Sequence, residues 1–166
     1  MAPLLDQLTP DLVVRSVHEI PLQTLAARGI RGLLFDLDNT LMEHHGDHFD
    51  PFVTLWVKSA LAQGFQIAIV SNSPPERIVA LSGELGIPGI AQSGKPRRRG
   101  LRQGLAALGL RPDEAAMVGD QVFTDVWAGR RLGLYTILVA RYAEREPWFI
   151  QAKRPVERMV LKRRRA

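Results

Sequence analysis

Two aspartates stand two residues apart directly after a short apolar run. Asp36 and Asp38 follow Leu33, Leu34 and Phe35. Alternate residues of an extended segment point to the same side, so both carboxylates could face one pocket. Their mutual repulsion there favours a bound cation, and Mg²⁺ is a hard ion that prefers oxygen ligands. The pair therefore predicts an acidic, magnesium-dependent site.

Three further groups of polar residues also follow apolar runs. Ser71 and Asn72 stand at a predicted helix start, where a hydroxyl and backbone N–H groups suit an anion, although both are also ordinary helix-start residues. Lys95 follows a third run, and Asp120 and Asp125 follow a fourth, where Asp125 could equally be a first-turn helix acid. The four groups supply an acid pair, a hydroxyl, a lysine and a second acid.

The elements that must position these groups can be predicted from the apolar pattern. Five runs rich in aliphatic residues predict strands: Gly32–Phe35, Phe65–Val70, Ile87–Ile90, Ala115–Val118 and Tyr135–Val139. Between them, apolar residues recur at three- and four-residue spacing, which is typical of amphipathic helices. This alternation predicts a three-layer α/β fold with a central parallel sheet of about five strands. Ligands bind such sheets at the carboxyl ends of the strands, which is where the four groups fall.

Composition indicates a folded domain with a basic end. The chain has 166 residues, 46% of them hydrophobic and 23% charged, which predicts a single domain over residues 1–166. No run approaches the roughly 18 apolar residues that span a bilayer, and the N-terminus lacks the pattern of a signal peptide. The absence of cysteine permits a reducing compartment. We expect a protein in the cytoplasm or on the inner face of the membrane, with a basic tail over about residues 147–166.

The four groups together resemble the motifs of the haloacid dehalogenase (HAD) superfamily, in the order typical of it. The closer resemblance is to subfamily IIIA and its YqeG-type phosphatases, which are small and lack a cap domain. The motifs read Leu37–Leu41, Val70–Asn72, Lys95-Pro96 and Gly119–Asp125. The resemblance covers Gly32 to Val139 and implies a Rossmann-like, capless HAD fold.

The resemblance also implies a role for each acid. Asp36 would attack phosphorus to form an aspartyl-phosphate, and Asp38 would protonate the leaving oxygen and then activate water. Mg²⁺ would be held by Asp36, Asp120 and the backbone carbonyl of Asp38. Asp125 and Thr40 would support these ligands. The implied chemistry is that of a phosphoric monoester hydrolase.

The resemblance assigns the phosphoryl group of the substrate to Ser71, Asn72 and Lys95, which would bind its oxygens and neutralise its charge. The loop His44–His48 departs from the pattern of the relatives and stands just beyond the acid pair, near the expected substrate entrance. A zinc site in this loop is the alternative to a solvated or substrate-contacting loop.

The family includes phosphatidylglycerophosphate phosphatases, which implies a phospholipid substrate. The tail from Pro147 to Arg165 combines aromatic and basic residues, a composition typical of membrane interfaces. The alternative is a solvated C-terminal helix, and contact with nucleic acid is less favoured. Two other functions remain open: a phosphatase of a soluble nucleotide or sugar phosphate, and a non-catalytic adaptor that binds RNA or the ribosome.

Overall fold

Six parallel strands form the sheet of this protein, for which a computed structural model describes residues 3–140. The strands are β1 (Leu12–Val14), β2 (Gly32–Phe35), β3 (Gln66–Val70), β4 (Gly89–Ile90), β5 (Ala115–Gly119) and β6 (Tyr135–Val139). Their order across the sheet is β1-β6-β5-β2-β3-β4. The predicted α/β fold with a parallel sheet is confirmed, and the sheet has one strand more than expected.

Helices connect the strands at borders that local sequence specifies. They are α1 (Leu4–Gln7), α2 (Leu22–Ala27), α3 (Pro51–Ala62), α4 (Pro75–Leu85), α5 (Arg99–Leu108) and α6 (Trp127–Leu132). The Asp50 carboxylate caps α3 by accepting a hydrogen bond of 2.8 Å from the Phe52 N–H. Helices α4 and α5 end at Gly86 and Gly109, which have φ of 67° and 65°, a left-handed conformation that favours glycine.

Strand β2 lies where the strand order reverses. From β2 the chain proceeds through β3 and β4 to one edge, and β5, β6 and β1 lie on the other side. Loops that leave neighbouring strands in opposite directions open a crevice at the carboxyl ends of those strands. The segment after Phe35 therefore enters this crevice.

Strand β2 is apolar along its whole length because both of its faces are covered. Leu33 and Phe35 belong to the core cluster that includes residues of α3 and α4, whereas Leu34 packs in the cluster on the other face with residues of α5. All three side chains are fully buried. Two packed faces explain the absence of polar alternation in this strand.

The strand missing from the prediction is β1, at the edge of the sheet. It pairs with β6, with Leu12 opposite Ile137. The preceding Asp11 carboxylate accepts hydrogen bonds from the Thr136 N–H at 2.8 Å and the Thr136 hydroxyl at 2.9 Å. It also forms an ion pair of 3.0 Å with Arg130. These side-chain contacts fasten a strand that is only three residues long.

No cap domain interrupts the described part of the fold. The segment between β2 and β3 contains a loop and α3, and the segment between β3 and β4 contains α4. Within residues 3–140, no helix is both long and apolar enough to cross a membrane. The predicted basic tail of residues 147–166 lies outside the described residues.

Candidate active site

The acid pair leaves β2 through a tight turn into a cleft of about 510 Å³. The Asp36 N–H still bonds to the Val118 carbonyl at 2.8 Å, so this aspartate is anchored to the sheet. Asn39 then adopts φ of 60°, and its N–H donates to the Met42 carbonyl at 2.7 Å. The turn allows Asp36 and Asp38 to line the same cleft.

Lys95 lies between two carboxylates at the base of the cleft. Its Nζ is 2.8 Å from Asp36 Oδ1 and 2.8 Å from Asp125 Oδ1, and its side chain is only 1% exposed. Burial opposes the charge of this lysine, but Asp125 and Asp36 raise its pKa above the ordinary value. Burial likewise raises the pKa of Asp36 to about 6, against the opposing effect of Lys95. Lys95 is therefore a permanent buried cation beside Asp36.

Asn72 holds the backbone of Lys95. Its Oδ1 accepts hydrogen bonds from the Lys95 N–H at 3.1 Å and the Ser93 hydroxyl at 2.7 Å, and its Nδ2 donates to the Lys95 carbonyl at 3.2 Å. The neighbouring Ser71 is buried, and its Oγ accepts from the Ser73 N–H at 3.1 Å. The cleft is lined by Ser71, Asn72 and Lys95, as their predicted contact with phosphate requires. The side-chain amide of Asn72 already forms hydrogen bonds with the backbone of Lys95, which hold the lysine in position.

Asp125 reaches the site because the chain after β5 winds into a π-helical turn over Val122–Val126. Asp125 Oδ2 accepts a hydrogen bond of 3.1 Å from the Gln121 N–H, and Oδ1 accepts from Lys95. A Cβ atom at Gly119 would lie 2.2 Å from Asp125 Oδ2. Glycine is therefore required at the end of β5 for this carboxylate to enter the cleft.

Three carboxylates converge closely enough to hold a metal ion. Asp36, Asp120 and Asp125 each offer an oxygen, and these atoms lie within 4.8 Å of one another. In an octahedral Mg²⁺ site with oxygens at about 2.1 Å, ligand oxygens are separated by about 3.0 Å to 4.2 Å. Small side-chain adjustments would bring the three oxygens to these separations. The donor set thus fits a hard divalent cation, with no feature that selects Mg²⁺ among such ions.

The Asp38 carboxylate lies apart from this cluster and pairs with Arg77. Arg77 Nη1 donates to Oδ2 and Nη2 to Oδ1, both at 2.8 Å. The His45 N–H adds a bond of 3.0 Å to Oδ1, and the Ser73 hydroxyl one of 3.3 Å to Oδ2. Partial burial opposes ionisation, but the bonds from Arg77 and His45 lower the pKa of Asp38 below its ordinary value.

Each aspartate of the acid pair has its own cationic partner. Repulsion between Asp36 and Asp38 is not what favours a metal ion, because Lys95 pairs with Asp36 and Arg77 pairs with Asp38. The case for a metal rests instead on the cluster that contains Asp120 and Asp125. The role predicted for the Asp38 backbone carbonyl, and the supporting role of Thr40, stay predictions. Thr40 is buried and is not among the residues that line the cleft in the described part of the chain.

Sequence reasoning missed the contributions of Arg77 and Ser73. Arg77 stands in the first turn of α4, directly after the polar segment that follows β3, which is the one signal that could have pointed to it. His44 and His45 line the cleft, as expected of a loop near the entrance. Among residues 3–140, the metal-binding cluster includes no histidine, which leaves the alternative of a zinc site without support.

Solved structures with this fold define the class of protein. The chain resembles the cobalt-bound form of the deoxy-D-mannose-octulosonate 8-phosphate phosphatase YrbI from Haemophilus influenzae, with a TM-score of 0.57 and 17% identity over 81% of this chain and 89% of that one. It also resembles a structure from Legionella pneumophila described as a subfamily III A HAD hydrolase, with a TM-score of 0.54 and 23% identity over 74% and 72% of the two chains. At these identities the likeness establishes the HAD fold.

Sequence relatives identify the branch within that class. The chain is 33% identical to the probable phosphatase YqeG of Bacillus subtilis, over 92% of this chain and 88% of the relative. It is 29% identical to phosphatidylglycerophosphate phosphatase 1, chloroplastic/mitochondrial, of Arabidopsis thaliana, over 93% of this chain but only 47% of the relative. Residues 5–77 match the family model of mitochondrial PGP phosphatase, and residues 92–160 match a HAD-hydrolase-like model. The chain belongs to the YqeG-like family of HAD phosphatases, which confirms the resemblance noted in the sequence and makes it a phosphoric monoester hydrolase.

Proposed function

We propose that this enzyme hydrolyses a phosphate monoester through an aspartyl-phosphate on Asp36 and that its substrate is phosphatidylglycerophosphate. One observation carries the chemical part. The Asp36 carboxylate is anchored at the end of β2, opens into the cleft, contacts the buried cation Lys95 and belongs to the acidic cluster. Such a carboxylate is held in place to act as a nucleophile.

In the first half-reaction, one Asp36 oxygen forms a bond to phosphorus while the bond from phosphorus to the ester oxygen breaks. Asp38, which is ionised beside Arg77 before substrate binds, takes up a proton from solvent and then donates it to the departing oxygen, so the product alcohol leaves neutral. Lys95, together with Ser71, stabilises the negative charge of the phosphoryl oxygens. A divalent cation held by Asp36, Asp120 and Asp125 would supply further positive charge to these oxygens.

The second half-reaction uses the same two aspartates. Asp38, now a carboxylate, accepts a proton from water as the water oxygen attacks phosphorus. The bond between phosphorus and Asp36 then breaks, which releases inorganic phosphate and restores both aspartates to the protonation states that they had when attack on phosphorus began. One side chain can serve both steps because Asp38 donates a proton in the first and recovers one in the second.

The phospholipid assignment is supported by the open cleft and by exposed apolar side chains on α3. No cap covers the site within residues 3–140, so a headgroup attached to a bilayer can approach. Helix α3 follows the loop that contains His44 and His45, and near its start Phe52 and Leu55 are 71% and 62% exposed. Exposed apolar side chains of this kind suit contact with lipid. The name of the Arabidopsis thaliana relative points to the same substrate.

We propose in addition that the basic tail, Pro147–Ala166, contacts anionic lipid. Attraction between basic side chains and an anionic bilayer acts only at the membrane surface. Removal of the tail should therefore lower activity on vesicles more than activity on a soluble ester. Equal losses on both substrates would assign the tail to folding instead.

The test is phosphate release from phosphatidylglycerophosphate in mixed micelles with Mg²⁺, beside a panel of soluble nucleotide and sugar phosphates. The Asp36→Asn variant serves as the blank. Turnover of the lipid well above the panel, abolished in the variant, supports both parts of the proposal. Turnover of soluble esters alone removes the lipid assignment. No turnover of any ester, together with salt-sensitive RNA binding that Asp36→Asn leaves unchanged, would favour the adaptor function.

A further inference from the structure

Arg77 forms a bidentate ion pair with Asp38 that has no role in the hydrolysis mechanism proposed above. Two guanidinium nitrogens bond to the two oxygens of Asp38 at 2.8 Å each, and Nη2 also donates to the Gly46 carbonyl at 2.9 Å. The side chains of Arg77 and Asp38 are 20% and 19% exposed, so both remain open to the cleft. This pair is thus accessible to a ligand, unlike Lys95, whose side chain is only 1% exposed.

The geometry of the contact suits another partner equally well. A guanidinium fork matches the two oxygens of a carboxylate, and it matches the two non-bridging oxygens of a phosphodiester in the same way. A phosphodiester that enters the cleft could therefore take the place of Asp38. Asp38 would still be held by the His45 N–H and the Ser73 hydroxyl.

The present contact also obstructs the role proposed for Asp38. Oδ1 accepts from Arg77 and the His45 N–H, and Oδ2 accepts from Arg77 and the Ser73 hydroxyl. With two donors on each oxygen, the carboxylate has little room for the oxygen of a leaving group. A substrate that draws Arg77 away would open Asp38 at the moment when it is needed.

We propose that Arg77 is a specificity-determining residue that binds a second anionic group of the substrate, a phosphodiester separated by a short spacer from the phosphate that is hydrolysed. Binding exchanges Asp38 for the phosphodiester on the guanidinium and frees the Asp38 carboxyl group to face the leaving oxygen. The inference rests on the proposed function, because phosphatidylglycerophosphate contains a phosphodiester three carbons away from its terminal phosphate. The enzyme then selects this substrate because its phosphodiester replaces the Asp38 carboxylate as the partner of Arg77.

The test uses two soluble probes that differ only in the second anionic group. One is propyl phosphate, and the other is propane-1,3-diol phosphate whose far oxygen carries a methyl phosphodiester. The ratio of their kcat/KM values is measured with Mg²⁺ for the wild type, Arg77→Gln and Arg77→Lys. Arg102→Gln is the matched control, since Arg102 is exposed on α5 and does not line the cleft.

The wild type should prefer the phosphodiester probe by about 10- to 100-fold, the range expected for a charge-assisted bidentate contact. Arg77→Gln should bring this ratio close to one, Arg77→Lys should leave an intermediate ratio, and Arg102→Gln should retain the wild-type ratio. If Arg77→Gln lowers turnover of both probes equally and the ratio survives, Arg77 only positions Asp38 and the inference is overturned.

Two further results separate this inference from the proposed function. Equal turnover of both probes by the wild type, abolished by Asp36→Asn, would overturn the inference and leave the phosphatase mechanism intact. No turnover of either probe by a wild type that hydrolyses phosphatidylglycerophosphate would overturn the inference alone, whereas no turnover of the probes or of the lipid would remove both.

Should Arg77→Gln prove inactive, the affinities of both probes are measured by calorimetry in the Asp36→Asn background. There the inference requires tighter binding of the phosphodiester probe, lost on addition of Arg77→Gln. Equal affinities in the two backgrounds would contradict it.

Discussion

Two ion pairs in the cleft differ in burial and in the elements that hold them. Lys95 is enclosed between Asp36 and Asp125, with its backbone fixed by Asn72 next to the central strands. Arg77 reaches from α4 to Asp38, and the side chains of this pair are partly exposed to the cleft. A buried pair cannot be replaced by a ligand without reordering the core, whereas an exposed pair can exchange partners with solvent or substrate. The fold thus holds Lys95 and its carboxylate partners in one arrangement, whereas the Arg77–Asp38 pair at the entrance can rearrange.

Replacement of the nucleophile should give the largest effect on the buried side. Asp36→Asn should reduce phosphate release by about 10⁴-fold or more, because the amide cannot form the covalent intermediate. Steady-state phosphate release with Mg²⁺ measures this change. Asp113→Asn, which removes a carboxylate from an exposed pair with Arg111, is the matched control and should be unaffected. Residual turnover within tenfold of wild type would assign the nucleophile elsewhere.

The two cations should differ in their contributions to stability. Lys95→Met leaves Asp36 and Asp125 buried without their cation, so we expect a loss of about 3–5 kcal/mol in the free energy of unfolding. Arg77→Gln removes a partly buried contact and should cost less, about 1–2 kcal/mol. Urea unfolding in the presence of EDTA measures both values. Similar losses in the two variants would show that the two pairs do not differ as their burial indicates.

Stability should depend on pH through Asp36 when metal is absent. Burial raises the pKa of Asp36 from 3.8 to about 6, so its favourable contribution is fully present below 3.8 and is lost as pH rises through 6. A shift of this size corresponds to about 3 kcal/mol. In EDTA, the free energy of unfolding of the wild type relative to Asp36→Asn should therefore fall between pH 4 and pH 7. A difference that stays constant over this range would contradict the assigned environment of Asp36.

The sequence predicts the buried part of the site better than the entrance. Asp36 and Asp125 follow strands that were predicted to within one residue, and Lys95 follows β4, which was predicted over Ile87–Ile90 and has two residues. The topology of a parallel sheet brings such residues together. The Arg77–Asp38 contact joins residues 39 positions apart, and it depends on how the loop around Gly46 folds. The conformation of that loop cannot be predicted from a periodic sequence pattern. An arginine in the first turn of a helix is also usually solvated, so its contact with Asp38 was not expected.

The same distinction explains the errors in the fold. Strand β1 has only three residues, follows Pro10 and lies at the edge of the sheet, so neither its length nor its pattern marks it as a strand. Its position depends on the contact between Asp11 and Thr136, residues 125 positions apart. The contact of Asn72 with the backbone of Lys95 could likewise be found only in three dimensions, and the predicted contact of Asn72 with phosphate stays a prediction.

The smallest expected effect concerns the surface outside the entrance. Replacement of both Phe52 and Leu55 by serine should lower activity on phosphatidylglycerophosphate in vesicles by about 3- to 10-fold, because exposed apolar side chains that insert into lipid are lost. Activity on a soluble ester should remain unchanged. Parallel assays on vesicles and on propyl phosphate separate these outcomes, with Val13→Ser, an exposed apolar residue of β1, as the control variant. An equal effect on both substrates would exclude a lipid-contacting role for α3.

The most direct test of the account is to locate the phosphoryl group during turnover. The Mg²⁺-loaded enzyme is mixed with substrate and quenched in acid within milliseconds, and its peptides are then examined by mass spectrometry. We predict one phosphoryl group on the peptide that contains Asp36, formed at the rate of alcohol release and absent in Asp36→Asn. Turnover without this adduct, or an adduct on another residue, would contradict a mechanism centred on Asp36.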